Sequence, residues 1–207
     1  MVRLLPRRGE RPLNDLLAEL AQVLLDSADL TSKVLGHSPR ERARIAPKLH
    51  DQATRASELC ERLANRLADS LITPYEAELL YDLSLSIADA VDSMENTAEM
   101  LVLARLGSVP TPLLECAKSI ERAGELTVEA AWSLRKVKEL EGYYPQMRKL
   151  KHLGDRLCRQ ALAELHKRGG TAADMLLMHD VITSTRETFT HLERVGRIAD
   201  LLRVKDT

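Results

Sequence analysis

Aromatic side chains are scarce: one Phe, one Trp and four Tyr make up 3% of the 207 residues. A β-sandwich or barrel core draws on aromatic and β-branched residues, so the scarcity argues for helices. No apolar run reaches membrane-spanning length, which predicts no transmembrane segment. The first twelve residues, MVRLLPRRGERP, are basic but lack an apolar stretch, and predict no secretory signal. An excess of one charge is missing too, with 30 Lys and Arg against 31 Asp and Glu for a net charge of -1. That balance predicts no nonspecific grip on nucleic acid. The 21 Arg and nine Lys alternate with acids along the chain, which reads as a solvated helical surface without a basic stripe.

Signatures of catalysis are also absent. The nine glycines are scattered and form neither GxGxxG nor GxxxxGK[ST], and no HExxH, GxSxG or EF-hand loop occurs. No residue is assigned a catalytic role, because a nucleophile needs a base and an orienting group that this sequence does not bring together. Cys60, Cys116 and Cys158 lie far apart in Leu/Ala-rich segments and form no CxxC. They predict buried free thiols in a reducing, cytoplasmic setting. The six histidines complete no four-ligand set, and read as solvated or capping imidazoles.

What the chain has is long helical periodicity. Hydrophobic residues are 44% and charged residues 29% of the total. Leu16, Leu17, Leu20, Val23, Leu24, Ala28, Val34 and Leu35 keep i, i+3, i+4 spacing from Leu13 to Leu35 before Gly36. A second stretch, 40–71, contains Pro47, where the helix either starts or kinks. Thr73-Pro74 reads as an N-cap followed by a first-turn proline, opening a third helix over 74–106. Further helices are expected over 112–141, 144–168 and 171–203. Such long stripes call for an all-α bundle, organised as a basic arm at 1–12, a three-helix bundle at 13–107, a linker at 108–112 and a second bundle at 113–207.

The two halves resemble each other at an offset of 98. Leu59 aligns with Leu157, Cys60 with Cys158, Leu67 with Leu165, Thr73 with Thr171, Leu79 with Leu177, Asp82 with Asp180, Ser86 with Ser184 and Glu95 with Glu193. The matches suggest a duplication.

The densest candidate for chemistry is acidic. Asp89, Asp92 and Glu95 fall within SIADAVDSMENTAE, and paired carboxylates on facing helices can supply the oxygen ligands that hard cations need. A plain solvent-facing acidic ridge is the competing reading.

The stretch Leu71 to Leu103, LITPYEAELLYDLSLSIADAVDSMENTAEMLVL, resembles the signature of the PhoU-like Pit-accessory proteins. Ile72-Thr73-Pro74, Glu78, Tyr81, Leu83, Asp89, Asp92, Glu95, Ala98, Leu101, Val102 and Leu103 fall in register with it. Weaker resemblance runs from Leu20 to Val204-Lys205. It implies six helices in two similar bundles. It also implies a cytoplasmic protein, peripheral at the inner face of the membrane through a partner, that regulates a Pit-type inorganic phosphate permease without catalysis.

The family's metal motif, an acid followed four positions later by another, falls on Ala53 and Ser57, Ala88 and Asp92, Lys151 and Asp155, and Arg186 and Thr190. Asp92 and Asp155 are the two acids kept, with Asp89, Glu95 and Glu193 nearby. A register shift of one would bring in Glu58, Asp89 and Glu187. Lys151 and Arg186 put cations where a metal would otherwise sit, and like charges about 4 Å apart repel by roughly 4 kcal/mol at an effective dielectric near 20. The sequence therefore predicts no bound metal or other cofactor, with Lys151 or Arg186 pairing to Asp155 or Asp92 instead. The altered elements Leu71 to Pro74 and Glu76 to Leu79 suggest a diverged partner surface. The expected partner is the transporter, with a homo-oligomer as a further expectation. A metal-binding helical bundle and a general protein-interaction scaffold are the competing functions. In the scaffold reading, Arg3, Arg7, Arg8 and Arg11 would contact acidic lipid or protein.

Overall fold

In the computed structural model, described for residues 12–70, 76–103, 105 and 107–205, the chain forms six α-helices. They are α1 (Leu13–Gly36), α2 (Pro39–Ala68), α3 (Ala77–Leu103), α4 (Thr111–Ser133), α5 (Tyr143–Arg168) and α6 (Ala172–Lys205), with a 3₁₀ turn at Val137–Leu140. No strand occurs among the described residues. The first helices of the two halves, α1 and α4, begin 98 residues apart, at Leu13 and Thr111. The arm residues and the Leu71 to Pro74 element lie outside the described residues.

Local chemistry explains most of the boundaries. Helix α2 opens eight residues before Pro47 and runs through it, because Ser38 and Glu41 form a capping box. Ser38 Oγ donates to Glu41 Oε2 at 2.7 Å and its backbone N–H donates to the same oxygen at 3.2 Å. Helix α4 stops at Ser133 rather than continuing to 141. Leu134, Val137, Leu140 and Tyr143 recur every third residue and are all buried. Three-residue spacing drifts around an α-helix but lines up on a 3₁₀ helix, so burial of all four selects the tighter winding.

Helices α1, α2 and α3 pack on one another, and α5 packs on α4 and α6. The halves meet through α1 against α4 and α3 against α6, and one continuous apolar core runs through both. With few aromatic rings to fill space, the helices approach closely over small residues. A Cβ on Gly124 of α4 would lie 3.2 Å from the Cα of Leu25 in α1. Where α5 crosses α6, the ring of Phe189 lies on Gly154, and Met147 lies on Gly196. Buried Ser27, Thr31, Thr97, Thr127 and Thr185 return their hydroxyls to the carbonyl four residues back. Ser184 instead donates to the carbonyl of Ser93 at 2.9 Å, which ties α6 to α3.

All three cysteines are free and buried, with Cys116 and Cys158 Sγ atoms 4.0 Å apart. The Cys116 thiol is pushed up by its contact with Cys158 and then by burial, and the Cys60 thiol is pushed up by burial. Arg42 is just 2% exposed, and its Nε donates to the Val34 carbonyl at 2.9 Å, closing the C-terminal end of α1. No described helix is long and apolar enough to cross a membrane. The expected mixing of charge is not what the helices show. Helix α3 carries six acids and no Lys or Arg, whereas α5 carries seven Lys and Arg against two acids.

Candidate functional site

Asp89, Asp92 and Glu95 follow one another at three-residue steps along α3. Each step turns about 60° short of a full revolution, so the acids sweep from the α6 side of the helix to the α2 side. Glu95 Oε1 accepts from His50 Nδ1 of α2 at 2.6 Å. Asp89 Oδ2 lies 3.6 Å from His191 Nδ1 of α6. Asp92 stands between them. Its carboxyl is pushed above the ordinary range, first by loss of water around it and then by the charges of Glu95 and Asp89, with His191 pulling the other way. His50 is pushed up chiefly by its hydrogen bond to Glu95, so it holds its proton to higher pH.

The family-motif positions also face one another. The contacts His50–Glu95 and Cys60 Sγ to the Ser84 carbonyl fix the antiparallel register of α2 and α3. That register sets Ala53 opposite Asp92 and Ser57 opposite Ala88. Ala53 is buried, and neither Ala53 nor Ser57 can supply a carboxylate. In the second half, the Gly154–Phe189 contact places Lys151 and Asp155 alongside the turn of α6 from Arg186 to Thr190. Lys151 Nζ lies 2.6 Å from Asp155 Oδ2, in a partly buried pair one helical turn long. Arg186 is exposed and meets neither Asp155 nor Asp92 in an ion pair. Glu187 is exposed, Glu193 is half-buried, and Glu58 lines a shallow groove with Glu19, His50 and Arg55.

These residues do not suit a metal cage. Among the described residues no three His, Cys, Asp or Glu side chains converge closely enough to hold an ion. The one motif pair brought into direct contact joins a cation to an acid, not two acids. On the α3 ridge one acid reaches each flanking helix through an imidazole, Glu95 to His50 and Asp89 to His191, in a clamp-like arrangement.

No family model matches the chain, and no curated protein sequence does either. Solved structures do. A PhoU-like protein from Shewanella oneidensis MR-1 superposes with a TM-score of 0.81 at 15% identity, covering 94% of this chain and 100% of that one. The fold is PhoU-like. A PhoU-like phosphate regulatory protein from the same organism gives a TM-score of 0.78 at 16% identity, with the same coverage of both chains. Within this PhoU-like frame the decisive partners of the ridge, His50 and His191, carry no local signal. They meet Glu95 and Asp89 across 45 and 102 positions of sequence. His37 and His166 do cap helices, each meeting the carbonyl four residues back at 2.7 Å. Ser38 with Glu41 has the S-x-x-E signature of a helix start, and could have been found from spacing alone.

Proposed function

We propose that this chain is a non-catalytic regulator or adaptor of inorganic phosphate transport that acts on a Pit-type permease. The observation that carries the proposal is the whole-length match to a PhoU-like phosphate regulatory protein, which leaves no part of that chain uncovered. The resemblance of Leu71 to Leu103 to Pit-accessory proteins points to the permease. On this reading the protein resides in the cytoplasm, associates peripherally with the membrane, and works through helix faces.

We infer further that the metal positions of the family have lost their ligand sets, and that one of them, Lys151 with Asp155, has been converted to a protein ion pair. The Lys151–Asp155 contact supports this, since a bound cation there would face the Lys151 ammonium at close range. Metal analysis of protein purified without chelators is expected to find no stoichiometric Fe, Zn or Mn, and finding one would overturn the conversion. For the function itself, the full chain should co-purify with a co-expressed Pit-type permease from solubilised membranes, and its deletion should alter phosphate uptake. Failure of both would overturn the proposal.

A further inference from the structure

Among the described residues helix α5 packs chiefly on α4 and α6 and presents its other side to solvent. Along that side Arg148, Lys149, Arg156, Arg159 and Lys167 are all exposed. At 3.6 residues per turn they fall within an arc of about 120° and extend about 28 Å along the axis, with His152 and His166 in the same arc. No acid enters it. The two acids of α5 lie on its shoulders, where Asp155 is held by Lys151 and Glu164 by Arg168. None of the five cations has an ion-pair partner among the described residues. Exposed cations such as Lys33, Arg55, Lys118 and Arg122 are paired, and the exposed cations Arg40, Arg44, Lys48 and Arg62 of α2 share their side of the helix with the exposed acids Glu41, Asp51 and Glu58.

We infer that the outer face of α5 is a docking surface for an anionic lipid bilayer. Three observations select this partner. The face is the solvent side of one helix, and a row of cations along a helix axis can meet a plane along its whole length. It carries no large exposed apolar residue, so it suits electrostatic adsorption to headgroups and not insertion among acyl chains. Single-stranded nucleic acid is disfavoured because the arc offers no Phe, Tyr or Trp for bases to stack on. A duplex groove would close around the helix and bring phosphates against Asp155, Glu164 and the exposed Glu187 of α6, which is level with Arg156 in the α5–α6 register. A flat surface meets the cations and leaves those acids in water. This inference does not depend on the transporter reading, and vesicles free of protein test it alone.

The test is flotation of the full chain with vesicles of phosphatidylcholine, or of phosphatidylcholine mixed with phosphatidylglycerol. The protein should float with the mixed vesicles and not the neutral ones, and added salt should release it. The Arg148→Gln/Arg156→Gln/Arg159→Gln variant should bind roughly a hundredfold more weakly, about fivefold per cation. Its helical circular dichroism should stay unchanged, because all three side chains are exposed. The matching Arg→Lys variant should bind like the parent, since a headgroup layer reads charge and not guanidinium geometry. Gln substitution of Arg3, Arg7, Arg8 and Arg11, or of Arg40, Arg44 and Arg62, should cost only a few-fold. Equal flotation with neutral vesicles, retained binding by the α5 Gln variant, or loss in the Lys variant would overturn the inference. So would retardation of duplex DNA by the same face without vesicle binding.

Discussion

The crossing of α5 and α6 depends on one missing methyl group. A Cβ at Gly154 would lie 2.4 Å from Phe189 Cδ2 and 2.5 Å from Cε2. Carbons in good contact sit about 3.5–4.0 Å apart, so Gly154→Ala forces a movement of about 1 Å. The ring has little room to yield, because Phe189 is 1% exposed within the core. Overpacking of this kind costs about 1–3 kcal/mol, and the better helix propensity of Ala offsets about 0.5–1 kcal/mol of it. The expected net loss is about 1–2 kcal/mol, or about 2–8 °C in Tm for a chain of this size. Urea unfolding followed by circular dichroism measures it directly. Gly36→Ala makes the same chemical change where nothing lies within 4 Å of the new Cβ, and should stay within about 0.5 kcal/mol of the parent. Adding Phe189→Leu should cost less in the Gly154→Ala background than alone, with a coupling of about 1 kcal/mol. A Gly154→Ala protein as stable as the parent, or more so, would refute the claim that this contact sets the α5–α6 distance.

His50→Gln should lower stability only at acidic and neutral pH. The raised His50 value means that its pairing with Glu95 contributes fully below the ordinary histidine pKa of about 6.5 and is lost as pH rises through the folded value. Urea midpoints at about pH 5.5 and about pH 9 test this, and a difference independent of pH counts against the clamp. Asp92→Asn should act in the opposite sense. A carboxyl raised by desolvation and by Glu95 and Asp89 holds its proton more tightly when folded, so its ionisation costs stability at neutral pH. The variant should gain a few tenths of a kcal/mol at about pH 7, because solvent screens this exposed group. The gain should vanish below about pH 4, and a loss at neutral pH would contradict the assignment. Arg42→Met should cost about 1–3 kcal/mol by leaving α1 carbonyls without their buried donor, and an unchanged urea midpoint would show that the cap is dispensable.

Helix patterns were legible in the chain because they depend on local spacing. Leu13 to Leu35 could be read as α1 from its apolar stripe. The end of α4 was not legible, since no Gly or Pro marks Ser133 and the change to 3₁₀ winding follows from where Leu134, Val137 and Leu140 find the core. The acids of α3 were visible as a cluster, but their meaning was not. Whether Glu95 faces an ion, water or an imidazole depends on the register of α2, which is fixed by packing over dozens of residues. Arg42 shows the same limit. Its sequence surroundings, PRERARIA, read as a solvated charge run, yet the α1–α2 turn folds it inward to Val34.

Near-neutrality of the whole chain conceals a separation of charge that bears on how the protein meets its surroundings. The six acids of α3 and the basic face of α5 lie on different helices, each packed against α6, whose own charges balance at five acids and five Lys or Arg. Over distances beyond about 8 Å at physiological salt the attraction between two such exposed faces is largely screened, so the separation contributes little to holding the fold together. Its effect is on orientation. An anionic surface draws in α5 and repels α3, so a chain with almost no net charge still has a preferred way to lie.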